Sequence, residues 1–187
     1  MKIIRANLKG DFMPALITAL EVLRAGGVIV YPTDTVYGLG ANACDFKAVE
    51  QVFKIKHRPL AKPLPIIARN SAWVEALAVV PTKLKPLLEQ LWPGPTTVVL
   101  AKRPVIPSIV TANQSSVAVR IPAAHFAERL LAKFGYPLTA TSANLSGEES
   151  SGNIRKVISA FRDQLWKPDL IIDAGNLPKS PPSAILF

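Results

Sequence analysis

Apolar and polar positions alternate between two periods along this chain, and the switches mark the elements. Lys2 to Arg5 reads as a short strand. Asp11 is placed to cap a helix running through Leu23, with Leu16, Ile17, Leu20 and Leu23 on its inner face and Gly26 and Gly27 ending it. Val28 to Tyr31 is a buried strand, and "PTDTVYGLGAN" after it reads as a long, turn-rich link. Asp45 caps a second helix, Phe46 to Lys56, that turns Val49, Val52 and Phe53 inward. Leu64 to Ala68 is a strand, Ala72 to Leu77 and Thr82 to Leu91 are helices, and "WPGP" breaks the second of these. Strands follow at Thr97 to Ala101 and Val117 to Ile121, then a helix at Ala124 to Phe134. A strand at Pro137 to Ala140 leads into "TSANLSG", and a helix at Ile154 to Leu165 precedes strands at Leu170 to Asp173 and Ala184 to Phe187.

Strands and helices taking turns in this way predict an α/β fold around a largely covered sheet. No segment is long enough to act as a linker, so residues 1–187 are expected to form one domain. Hydrophobic residues make up 49% and charged residues 19%, the balance of a soluble globular protein. The longest apolar runs are too short to cross a bilayer, and the N-terminus lacks the apolar core of a signal peptide. One cysteine, Cys44, rules out an internal disulfide and fits a cytoplasmic location. Neither it nor His57 and His125 stands in a metal-ligand spacing.

Charge changes the picture more than composition does. The formal net charge is +9. Between Gln51 and Ala127, ten Lys and Arg face two acids, Glu75 and Glu89, so +8 of it falls in that one stretch. Such a field attracts phosphate, whether of a nucleotide or of a nucleic-acid backbone. Within it, "IKHRPLAKPLPI" places Lys56, Arg58 and Lys62 without an acid. Pro59 ends the helix there, and in an extended segment Lys56 and Arg58 would point the same way, toward one anion. The other reading is a positive last turn that compensates the helix dipole.

Polar residues gather after three strands. Thr33, Thr35 and the Tyr37 phenol could donate to a small ligand, or Thr33, Asp34 and Thr35 could close a tight turn on themselves. Arg120 interrupts the apolar strand "SVAVRIP" and needs a partner, either an internal carboxylate or a ligand's. Thr141, Ser142, Asn144 and Ser146 suit phosphate or ribose contacts. No Walker loop, dinucleotide fingerprint or nucleophile elbow is present.

Taken in order, "YPTDTVYGLGANA" (31–43), "KHRPLAKPLP" (56–65), "WPGPTTVVL" (92–100), "VAVRIP" (117–122) and "TSANLSG" (141–147) resemble the YrdC/Sua5 family of threonylcarbamoyl-AMP synthases. The resemblance implies a single-domain, twisted, mixed α/β sheet with a basic concave face. It implies synthesis of threonylcarbamoyl-adenylate from L-threonine, bicarbonate and ATP, with release of pyrophosphate and with Mg²⁺ accompanying ATP. The product serves t6A modification of tRNA, in company with the other proteins of that machinery. The family's K-x-R element falls on Lys56 and Arg58, which makes them the expected catalytic pair, and its S-x-N element falls on Ser142 and Asn144. Arg58, Lys62, Ser116, Ser142, Asn144 and Ser150 are expected at the nucleotide, and Thr35, Arg120 and Ser183 at threonine. Longer members carry a tail that closes over the nucleotide, and a chain ending at Phe187 is expected to leave that site more open. The competing expectation, from charge alone, is a non-enzymatic protein that binds tRNA or double-stranded RNA, acting in rRNA or tRNA maturation.

Overall fold

The structure, a computed structural model, describes residues 1–178, 180 and 183–187. Its strands fall into two mixed sheets. In the first, β1 (Lys2–Arg5), β10 (Leu170–Asp173) and β2 (Ile29–Tyr31) run parallel, and β3 (Gly38–Gly40) and β9 (Thr141–Ser142) extend it antiparallel, in the order β1-β10-β2-β3-β9. The second has the order β11-β6-β7-β4-β8, built from β11 (Ala184–Leu186), β6 (Thr96–Lys102), β7 (Ser116–Arg120), β4 (Ile66–Ile67) and β8 (Leu138–Thr139), and β5 (Ala78–Val79) also pairs with β6. The α/β alternation expected from the sequence is present, with its strands shared between two sheets.

The first sheet is covered on both faces, which explains why β2 is apolar at every position. Ile29 and Tyr31 face a cluster with Leu16, Leu20 and Leu23 of α1 (Met13–Arg24) and Phe126 and Leu130 of α5 (His125–Phe134). Val28 and Val30 face a second cluster with Val49, Val52 and Phe53 of α2 (Phe46–Lys56), Val157 and Phe161 of α6 (Ile154–Arg162), and Val98, Val117 and Val119 of the second sheet. That shared core joins the two sheets. In α1 the buried set is Ala15, Leu16, Ala19, Leu20 and Leu23, and Ile17, expected inward, is half exposed. It sits about 100° around the helix from Leu16, outside the buried arc. The N-cap of α1 is Phe12, not Asp11 as expected, although Asp11, one residue before it, accepts from the Met13 N–H through Oδ1 (2.8 Å). The segment expected as one helix from Thr82 is a short 3₁₀ turn, Thr82–Leu84, followed by α4 (Lys85–Leu91). Upstream of it, α3 is Ser71–Leu77.

Two differences from the sequence-based expectation build the site. The stretch after Tyr31 is not all turn: Gly38–Gly40 is β3, with Tyr31 opposite Gly38 and Ile29 opposite Gly40. The Tyr31 ring lies back over this strand. A Cβ on Gly38 or Gly40 would come within 2.9 or 2.6 Å of its ring atoms, so glycine here makes room for an aromatic face. And the strand expected at Pro137 to Ala140 is a crossing. Leu138–Thr139 pairs with β4 in the second sheet, and two residues later Thr141–Ser142 pairs with β3 in the first. The chain passes between sheets at Ala140, whose N–H donates to the Pro65 carbonyl (2.8 Å).

Candidate active site

A cavity of about 290 Å³ opens where the sheets meet. Gly38, Thr141 and Ser142 of the first sheet and Ile67, Thr97 and Arg120 of the second line it, with Thr33 and Thr35 from the loop after β2. Of the residues singled out in the sequence, Thr35, Arg58, Arg120, Ser142, Ser150 and Ser183 border this one space. A larger cavity of about 710 Å³ shares Thr35, Val36 and Ser150 with it and continues over Asn153, Lys156 and Asn176.

Arg120 ends β7 and is buried. Its Nε donates to the Gly94 carbonyl (2.8 Å), Nη1 to Thr35 Oγ1 (3.4 Å) and Nη2 to Asp34 Oδ1 (2.5 Å). Asp34 Oδ2 also accepts from the Ala123 N–H (3.3 Å). The internal carboxylate that Arg120 needed is therefore Asp34, which the sequence placed only in a tight turn. A guanidinium has five N–H groups. Three are spent, leaving one on each terminal nitrogen.

The loop's hydroxyls are ordered as well. Thr33 Oγ1 donates to the Val36 carbonyl (2.6 Å), which uses its one proton. The 3.2 Å contact between Thr33 and Thr35 hydroxyls is therefore a donation by Thr35. Thr35 then presents only acceptor capacity to the cavity, the reverse of the donor role expected for it. Tyr37, also expected to meet a ligand, borders the cavity, but its hydroxyl is committed within the protein. Its hydroxyl donates to the Gly175 carbonyl (2.6 Å) and accepts from Ala174 N–H (3.0 Å), and burial pushes it up to about 12. Thr97 Oγ1 donates to Ser183 Oγ (3.3 Å) on the cavity wall, and Thr97 is a wall residue that was not among those expected at a ligand.

Lys56 and Arg58 do not point together. Asp45 caps α2 through the Lys47 and Ala48 N–H groups, and the helix closes with His57 in the left-handed region at φ 51°. The His57 N–H bonds the Lys54 carbonyl and the Arg58 N–H the Phe53 carbonyl, the hydrogen-bond pair of a Schellman ending. The chain thus reverses between the two cations instead of extending. Lys56 is buried, and its ammonium donates to the Ser142 carbonyl (2.6 Å), the Asn144 carbonyl (2.9 Å) and Asn144 Oδ1 (3.0 Å). All three protons are used, so Lys56 stands behind the cavity wall and holds it. Burial, reinforced by the nearby Arg58 charge, lowers it to about 8. Asn144 is committed likewise: its amide donates to the Leu145 and Glu148 carbonyls (3.1 and 2.6 Å). Arg58 is the cation facing the cavity, its Nε and Nη2 anchored on the Lys62 and Pro63 carbonyls (3.1 and 2.8 Å) with three N–H groups left over.

Lys62 is exposed and does not border the cavity. Ser116 does not border it either. It lies on the same face of β7 as Arg120, about 13 Å along the strand. Trp92, whose indole donates to the Thr96 carbonyl (2.7 Å), is core. Among the described residues no group of three or more His, Cys, Asp or Glu is placed to hold a metal ion. No helix of the described residues is long and apolar enough to cross a membrane.

Comparison with known proteins gives this arrangement a context. The Sua5/YciO/YrdC family model, described as "Telomere recombination", matches residues 21–186. A threonylcarbamoyl-AMP synthase of Pyrococcus abyssi is 40% identical over 159 residues, 84% of this chain and 46% of that protein. A putative threonylcarbamoyl-AMP synthase of Methanocaldococcus jannaschii is 38% identical over 166 residues, 89% of this chain and 76% of that protein. The crystal structure of P. abyssi Sua5 complexed with L-threonine superposes with a TM-score of 0.91 at 35% identity, covering 99% of this chain and 54% of that one. The chain thus spans about half the length of its Pyrococcus relative. By fold, by sequence and by the family model, the chain belongs to the Sua5/YciO/YrdC family.

Proposed function

We propose that this chain is a threonylcarbamoyl-AMP synthase, joining L-threonine, bicarbonate and ATP and releasing pyrophosphate. One observation carries the reading: the cavity between the sheets is bordered by Thr35, Arg58, Arg120, Ser142, Ser150 and Ser183, in a chain that superposes on a relative solved with L-threonine. The threonine carboxylate sits on the two remaining N–H groups of Arg120. Its ammonium or hydroxyl donates to Thr35, and the Thr97–Ser183 pair closes the same end. The ATP phosphates lie along Arg58 and Ser142. Ser150, where the two cavities join, marks one way out for the rest of the nucleotide, and the open face of β7 toward Ser116 marks the other.

The chemistry asks for positions and positive charge more than for a nucleophile. The threonine ammonium first gives up a proton, and the amine then joins bicarbonate with loss of water to give an N-carboxylate. One oxygen of that carboxylate attacks the α-phosphorus, and the bond to the β-phosphate oxygen breaks as pyrophosphate leaves. Charge stays on phosphate oxygens throughout, where Arg58 can stabilise it. Lys56 contributes by fixing the Ser142–Asn144 segment, not by touching phosphate. Magnesium enters with ATP as part of the substrate, and no resident metal is assigned to the described residues. Residues 1–187 act as one YrdC-like unit, and the adenylate passes to the tRNA-modifying proteins that place its threonylcarbamoyl group. Calorimetric titration tests the amino-acid half of this reading. Threonine is expected to bind far more tightly than valine, because valine leaves polar groups of the site unpaired. Equal affinity for the two would contradict it.

A further inference from the structure

The Asp34–Arg120 pair stands at the joint of the molecule. Asp34 lies in the loop leaving the first sheet, and Arg120 is the last residue of a central strand in the second. The carboxylate grips twice, once on Nη2 of Arg120 and once on the N–H of Ala123, so it holds both the side chain and the main chain that follows β7. The guanidinium is then fixed on three sides, by Asp34, by the Gly94 carbonyl and by Thr35. A long side chain ordinarily loses rotamer entropy on binding a ligand, and here that loss is taken on folding. The pair is mostly buried, with side-chain exposures of 8% and 14%, which keeps its electrostatics from being screened by water.

We propose that Asp34 is a positioning residue for the amino-acid substrate: it presents the two unspent N–H groups of Arg120 to the substrate carboxylate. The proposal rests on the amino-acid site assigned above and adds its cause of selectivity. Without Asp34 the Arg120 charge remains, but its direction does not. The Gly94 carbonyl and Thr35 hold Nε and Nη1 only, and the planar fork can swing about that edge. Carboxylate recognition by arginine depends on paired, parallel N–H groups, so a swing removes the geometric part of the interaction while leaving the attraction of opposite charges. Asp34 also divides the work of its own loop. Thr33 and Thr35 on either side order the hydroxyls, and Asp34 orders the cation.

The test compares L-threonine with L-threoninamide, in which the carboxylate is replaced by a neutral amide. Calorimetric affinities for both are measured on the full chain and on Asp34→Ala and Asp34→Asn, with melting curves for each. The wild-type chain is expected to favour threonine, and Asp34→Ala to reduce that preference by roughly 10- to 100-fold. Asp34→Asn keeps an acceptor for Nη2 and is expected to fall between the two, which keeps the test open should the alanine variant fail to fold. A role confined to stability would lower both affinities alike and leave their ratio unchanged. An unchanged ratio in the folded variants overturns the proposal. A wild-type chain that does not prefer threonine overturns the amino-acid site itself, a different result from the first.

Discussion

Lys56 shows how a residue's type and its task can part. Its ammonium makes three hydrogen bonds to one loop, yet it is buried, and burial lowers it to about 8. The folded chain therefore gives up this proton more readily than the unfolded chain, whose lysine keeps the ordinary value of 10.5. Between pH 8 and 10.5 the unfolded state binds more protons, so the Lys56 contribution to stability rises with pH across that window. Denaturant titrations at pH 7.5 and 10 are expected to show a rise, on the order of 1–3 kcal/mol, that Lys56→Met lacks. A variant with the same pH dependence as wild type would contradict the burial of a charged amine here. Arg58 carries the opposite expectation. Arg58→Ala leaves the fold intact, and loss of a transition-state contact is expected to slow adenylate formation roughly 100- to 1000-fold. Wild-type pyrophosphate release by this variant would remove Arg58 from the phosphate site.

At the scale of elements, the site depends on how three segments end. Asp45 caps α2, and the far end of that helix presents Lys56 to the loop and Arg58 to the cavity. Asp45→Ala is expected to lower stability by about 1 kcal/mol, read in the same titrations. Gly40→Ala places a methyl 2.6 Å from the Tyr31 ring and 3.3 Å from the Thr139 carbonyl, so the ring over β3 must move. It is expected to lower the melting temperature and weaken threonine binding together, since Tyr31 lines the cavity. Unchanged values for both would show that the ring yields freely. These details also mark what a sequence can tell. The helices of α2 and α5 and strands β2, β6, β7 and β10 were legible because burial imposes a period on long segments. Strand β3 was not, because glycine argues against a strand unless a tyrosine across the ladder needs the space. The relation of Lys56 to Arg58 was misread for want of one dihedral angle, the left-handed His57. Asp34 was visible as a carboxylate, but its partner lies 86 positions away, and only the meeting of two sheets brings it near.

For the whole molecule, the ten cations between Gln51 and Ala127 fall mostly on the end of α2 and on the connections between elements, and only Lys102 and Arg120 lie on strands of the second sheet. RNA would be held by such a surface through its backbone, and that affinity would fall steeply with salt and ignore threonine and bicarbonate. The family, the cavity between the sheets and the residues gathered there support the adenylate synthesis proposed above instead. The most direct test incubates the purified chain with ATP and Mg²⁺, omits threonine or bicarbonate in turn, and follows products by mass spectrometry. The account predicts threonylcarbamoyl-AMP and pyrophosphate in step, and only in the complete mixture. Pyrophosphate release that does not depend on threonine, or no adenylate under any condition while RNA is retained with a steep salt dependence, would contradict it.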